Sequence, residues 1–134
     1  MTLLDEADIA WRVRPRAPLT AEHLRLLLEE AAAAMFEVPA KKLRARSRGC
    51  AQVAFARQSA MYLAHVALGL SYSDVGKLFG RDRTTAAHAC QLVEDRRDRH
   101  DIDLRLDFLE TVFREAIYGI APPVAPPVAP TVAS

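Results

Sequence analysis

The run Gly80-Arg81-Asp82-Arg83-Thr84-Thr85 concentrates the side chains with the most chemical potential. Arg83 can donate a bidentate pair to the O6 and N7 edge of guanine, and Thr84 or Thr85 can meet a phosphate or a thymine methyl. If Asp82 caps a helix running past Val93, then Ala86, Ala89, Cys90 and Val93 fall at i, i+3, i+4 and i+7 and turn inward. Arg83, Thr84, Ala87, His88 and Gln91 then remain on the outward side, with Ala87 small enough for close approach. The first turn of such a helix also offers unpaired backbone N–H groups and a positive dipole end, both suited to phosphate. This is the chemistry of reading a duplex.

Positioning that helix requires the elements before it. Ser71-Tyr72-Ser73-Asp74 has the form of a capping box with Asp in the fourth place, and Gly80 supplies a stop. Between them Val75, Leu78 and Phe79 point inward. Two short helices joined at Gly80-Arg81-Asp82 have the length and glycine-bearing turn of a helix-turn-helix. Upstream, Thr20 caps a helix to about Phe36 with Leu24, Leu27, Leu28, Ala31 and Met35 as its stripe. Val38-Pro39 breaks it, and Pro39 opens a short turn through Leu43. A longer helix runs from about Ala51 to Leu68, striped by Val53, Ala56, Ala60, Leu63, Ala64 and Ala67, and Gly69 ends it. A last helix from about Asp103 to Tyr118 carries Leu106, Leu109, Phe113, Ala116 and Ile117. No strand-like alternation occurs. The expected fold is all-α, a compact helical bundle containing a helix-turn-helix over residues 19–119. An irregular arm (1–18) precedes it, and a Pro/Ala/Val-rich disordered tail (120–134) with repeated PPVA follows.

Composition narrows the field. The 134 residues are 51% hydrophobic and 26% charged, ordinary for one globular domain. The net charge of +1 hides a division: residues 38–93 hold nine bases and two acids, a local +7, while the flanks sum to −6. A basic centre suits a polyanion. No apolar stretch is long enough for a bilayer, and acids stand where a signal peptide carries Lys or Arg, so a cytoplasmic, nucleoid-associated location is expected. Cys50 and Cys90 form no CxxC; Cys90 is expected in the core and Cys50 in helix-start packing. His23, His65, His88 and His100 share no metal spacing. Gly76-Lys77 is no phosphate loop, because Ser71 and Leu78 stand where glycine and a hydroxyl residue are required. The sign-alternating run EDRRDRHDID is expected to be a solvated helix end. Neither catalysis nor a metal, nucleotide or other cofactor is indicated.

The words RQSAMYL (57–63), GLSYSDVG (69–76) and FGRDRTTAAHA (79–89) together resemble the C-terminal DNA-binding domain of the bacterial replication initiator DnaA, over about residues 24–118. The resemblance implies an all-helical bundle that reads a TTATNCACA-type duplex element, with one helix in the major groove and a basic loop in the minor groove. It implies that Asp82, Thr84 and Thr85 contact bases or nearby backbone. Arg57 and Gln58 match a pair near phosphate, His88 matches a histidine reaching the backbone, and Ser71, Tyr72 and Ser73 occupy a cap that touches the duplex. Arg81 adjoins this set, and Arg46 or Arg48 would serve in the minor groove. Four departures stand out: Arg83 replaces a family histidine, a glycine is missing before Arg81, His65 replaces a lysine, and the minor-groove arginine, aligned without gaps, falls on Gly49.

With no room in 134 residues for the initiator's ATPase, the expectation is a free-standing domain. Its expected role is sequence-specific binding of double-stranded DNA as a small bacterial transcriptional regulator. The alternatives are a modulator of replication initiation that competes for DnaA boxes, and an adaptor that keeps the fold but works through protein contacts of its acidic flanks or tail.

Overall fold

Small side chains on one stripe let neighbouring helices approach closely, and the alanine-rich stretch takes the centre of the bundle for that reason. The computed structural model describes residues 20–45 and 50–118, and every regular element among them is helical. The order is α1 (Ala21–Met35), α2 (Ala40–Arg44), α3 (Ala51–Val66), α4 (Tyr72–Phe79), α5 (Arg83–Arg96) and α6 (His100–Tyr118). Helix α3 buries Val53, Phe55, Ala56, Ala60, Leu63 and Ala64, and packs most extensively against α5 and α1. The expected all-α bundle with its helix-turn-helix is what forms.

The helix ends follow the anticipated chemistry. The Thr20 hydroxyl accepts the His23 N–H at 3.0 Å and starts α1. Pro39 is the N-cap of α2, and Gly69 adopts the left-handed conformation (φ 73°) after α3. Glu37 takes the same left-handed region (φ 59°) after α1, where glycine would sit without strain. Helix α2 is pinned to α1 by Arg44, which donates to Glu29 at 3.1 Å and to Glu30 at 2.8 Å. Arg25 donates to the same buried Glu29 from the other side.

Four expectations need correction. Leu27 is 48% exposed, because the buried face of α1 centres on Leu24, Leu28, Ala32, Ala33 and Phe36 and leaves Leu27 at its margin. Ala116 is exposed, since it lies beyond the point where α6 passes the end of α3 and Arg114 donates to the Val66 carbonyl. Cys50 is exposed rather than packed, as the extended N-cap residue of α3. The N–H groups of Val53 and Gln52 hold its thiol below the usual range. Cys90 is buried as expected, and burial pushes its thiol up to about 11.

The fourth correction concerns one residue of the sign-alternating run: seven of the ten residues 94–103 are exposed as expected of a solvated helix end, but Arg97 is a clamp. Arg97 caps α5 and is half-buried; it donates to Asp103 at 2.5 Å, to the Tyr62 hydroxyl at 3.0 Å and to buried Glu110. The Tyr62 hydroxyl in turn donates to Glu94 at 2.8 Å. Burial opposes the charge on Arg97, but the bonds to Asp103, Tyr62 and Glu110 outweigh it and hold the guanidinium above its ordinary range. With these partners in place α6 begins at His100, three residues before the expected Asp103. The expected arm and tail, and the side chain of Ile117, lie outside the described residues.

Candidate nucleic-acid interface

Helix α4 is short, so its ends decide its geometry. The Ser71 hydroxyl accepts the Asp74 N–H at 3.1 Å, and Gly80 closes the helix in the left-handed region at φ 69°. The turn then folds back tightly, with the Arg81 N–H donating to the Gly76 carbonyl at 2.7 Å. Gly76 is required by this approach: a Cβ there would lie 2.6 Å from the Arg81 carbonyl oxygen. Asp82 caps α5 by accepting the Thr85 N–H at 2.7 Å. The bonds from Thr85, and more weakly from the Thr84 N–H, hold the Asp82 carboxyl below the usual carboxylate range. Val75, Leu78 and Phe79 on α4, and Ala86, Ala89, Cys90 and Val93 on α5, are buried.

The opposite side of α5 is open. Arg81, Asp82, Arg83, Thr84, Thr85, His88 and Gln91 are exposed, and Ala87 is half-buried. The side chains of Arg81, Arg83 and His88 make no hydrogen bond or ion pair among the described residues. Between α3 and α5 lies a shallow groove of about 170 Å³. Ala54, Met61 and Ala89 give it apolar lining, and Arg57, Gln58, Arg81, Thr85 and His88 supply polar groups.

Arg57 shows how the site is charged. Its Nε donates to the Leu43 carbonyl and one amino group to the Lys42 carbonyl, both at 3.0 Å, so α2 fixes its direction. Burial, and then the neighbouring Arg81 guanidinium, depress its basicity, and Glu29 only partly opposes them. Two cations held near each other without a full counter-charge favour an anion between or above them.

A second group of the expected residues stands at the start of α4. The rings of His65 and Tyr72 stack with centroids 4.3 Å apart. The His65 Nδ1 lies 2.7 Å from the Leu70 carbonyl oxygen, which places a proton on Nδ1 and leaves Nε2 without that tether. Both rings are half-buried, and Ser71 and Ser73 are exposed beside them. Arg57, Gln58, Arg81, Thr85 and His88 thus share the groove, while Asp82, Arg83 and Thr84 lie at the tip of α5. His65, Ser71, Tyr72 and Ser73 form a separate cap, and Arg46 and Arg48 lie outside the described residues.

Sequence reasoning missed the apolar lining from Ala54 and Met61, and it missed that α2 orients Arg57. An Ala or Met within a helical stripe carries no mark of facing a groove. Carbonyl acceptors are invisible in sequence because every residue has one.

A short capped helix, a glycine turn and a second helix with one open polar face define a helix-turn-helix domain. The family described as bacterial dnaA protein helix-turn-helix matches residues 27–93, half of the chain, and the chain belongs to that family. It is also similar to a solved structure titled as a DNA replication initiation factor, with a TM-score of 0.60 and 26% identity. That match covers 72% of this chain and 30% of the other, so this chain spans less than a third of that protein's length. The family match ends at Val93, within α5, and α6 lies outside it.

No helix among the described residues is long and apolar enough to cross a membrane. No group of three or more His, Cys, Asp or Glu side chains among them could hold a metal ion.

Proposed function

We propose that this chain binds double-stranded DNA in a sequence-specific manner, with α5 in the major groove and Arg57 and Arg81 gripping phosphate beside it. The observation that carries this reading is the groove between α3 and α5, where a tethered Arg57 and an exposed Arg81 face one another beside Thr85 and His88. Arg83 at the tip is positioned to donate to a guanine edge. His65, Ser71, Tyr72 and Ser73 serve as a second backbone contact at the start of α4. Arg46 and Arg48 are assigned to the minor groove.

Within this reading the chain acts as a small bacterial transcriptional regulator, in the cytoplasm and on the nucleoid, by occupying its site. The replacement of a family histidine by Arg83 and the shortened turn favour a site that differs from the initiator's own box. That favours a separate regulator over a competitor for the same boxes.

Selection from a random duplex pool, read by sequencing, tests the assignment. An enriched motif supports specific binding, and its likeness to TTATNCACA separates a competitor from a separate regulator. Affinity should also fall with salt. With about five phosphates neutralised, the slope should be about −4 to −5 in log affinity against log salt. No enrichment together with a flat salt response would refute DNA binding and leave the adaptor.

A further inference from the structure

The outward face of α6 is apolar where a solvated helix would be polar. Leu104, Phe108 and Val112 are 55%, 59% and 40% exposed, while Leu106, Leu109 and Phe113 on the other side fill the core. The exposed three stand at i, i+4 and i+8, a single row with a step of about 6 Å. Exposed Asp107 and Glu115 border the row, and neither makes an ion pair among the described residues. The row is therefore an apolar strip with Asp107 and Glu115 along it and Arg105, turned to the Met35 carbonyl, at its other edge, outside the part of the chain that the family match covers.

We propose that the N-terminal segment Ile9–Arg16 of this same chain, IAWRVRPR, docks along this strip. Its residues alternate: Ile9, Trp11 and Val13 are apolar, and Arg12, Arg14 and Arg16 are basic. In an extended conformation alternate side chains share a face at a step of about 6.6 Å, close to the step of the helical row. Three apolar side chains thus meet Leu104, Phe108 and Val112 nearly in register. The arginines, long enough to bend around their own backbone, reach Asp107 and Glu115 at the margins. Pro15 removes an N–H donor and suits an extended segment better than a helical one. Reach is no obstacle. α6 runs from the end of α1, where Arg105 donates to the Met35 carbonyl, to the end of α3, where Arg114 donates to the Val66 carbonyl. A chain leaving Thr20 spans about 3.3 Å per residue, so the seven to eleven residues back to Val13 and Ile9 cover about 23–36 Å.

Other occupants fit less well. A second copy pairing through α6 would set Asp107 and Glu115 against acids of an identical strip, with like charges facing. The segment 120–134 contains no charged residue and so has nothing to offer the margins.

Trp11 is the sole tryptophan of the chain and reports its own surroundings. In the full chain its emission should lie to the blue of that of a peptide of residues 1–19, with weaker quenching by acrylamide. Phe108→Ser, and separately the double change Asp107→Lys/Glu115→Lys, should each return emission and quenching to the peptide values. Because all three positions are exposed, helicity and melting of the bundle followed by circular dichroism should stay intact; Leu104→Ser provides a further variant of the strip. Emission and quenching in the full chain equal to those of the peptide would overturn the proposal. So would protection that survives all of these substitutions, which would place the segment elsewhere, or protection lost on dilution, which would make the occupant a second copy.

Discussion

Gly76→Ala tests the geometry that aims α5. The added Cβ would lie 2.6 Å from the Arg81 carbonyl oxygen and 3.1 Å from the Asp82 carbonyl carbon and oxygen. These neighbours are backbone atoms of the turn, so no side chain can swing aside. Reaching ordinary contact near 3.4 Å moves the turn by about 0.8 Å and strains the Arg81 N–H bond to the Gly76 carbonyl, now 2.7 Å. Overpacking of this kind costs about 1–3 kcal/mol, and losing the bond adds about 1 kcal/mol. The better helix propensity of alanine returns about 1 kcal/mol, for a net loss of about 1–3 kcal/mol. In a domain of about 100 residues each kcal/mol lowers Tm by about 4–8 °C. Because Asp82 caps α5, moving the turn also re-aims Arg83 and Thr84, and DNA affinity should fall even where the variant is fully folded. Gly80→Ala is the control: no atom lies within 4 Å of its added Cβ, so its cost comes from the left-handed backbone alone. Denaturation with parallel binding titrations separates the two. A Gly76→Ala protein that melts and binds like the parent would refute the reasoning.

Further expectations follow from the same structure. Arg83→Ala should cost about 1–3 kcal/mol on the preferred duplex and relax the choice at one base pair, measured on four duplexes varied only there; equal losses on all four would show that Arg83 reads no base. Arg97→Met leaves buried Glu110 without its principal cation and should cost about 3 kcal/mol in denaturant unfolding, and Arg97→Met/Glu110→Met should recover much of that loss. The Tyr62 hydroxyl is pushed up to about 12, chiefly by burial and then by Glu94. Its neutral form therefore stabilises the fold fully below about pH 10, and this contribution is lost as pH rises towards 12. Tyr62→Phe should flatten that alkaline limb of the melting curve. Truncation after Gly119 should leave melting and DNA affinity little changed, and a large loss of either would show that residues 120–134 pack or bind.

Much of this domain was legible because its helix-turn-helix is built from local signals. Ser71 and Asp82 accept N–H groups three residues ahead, and Gly80 sits where only a left-handed residue closes α4. The inward stripe of α5 needed nothing beyond the period of the helix. The misses share a different cause. Arg97 finds partners 6, 13 and 35 residues away on two elements, α3 and α6, a pattern with no period to detect. Leu27 has the right spacing but lies at the margin of its stripe, and the neighbours decide how wide a stripe is covered. Arg57 was singled out for its resemblance to a phosphate contact, while its bonds to the Leu43 and Lys42 carbonyls could be found only once α2 and α3 were placed.

Placement also changes the meaning of the basic centre. Of its nine bases, Arg44 is held by Glu29 and Glu30, and Arg57 spends two donor groups on carbonyls. Lys41, Lys42, Lys77, Arg81 and Arg83 remain exposed with no ion pair among the described residues. A count of charges along the sequence therefore overstates the cations available to a polyanion. The difference has a consequence in the groove: a guanidinium already oriented by backbone acceptors loses little further conformational freedom when it meets a phosphate. Arg57 thus combines two effects that composition cannot separate, a depressed basicity from burial and Arg81, and a direction fixed by α2. An anion reverses the first and exploits the second, and the groove between α3 and α5 is where both operate on the same side chain.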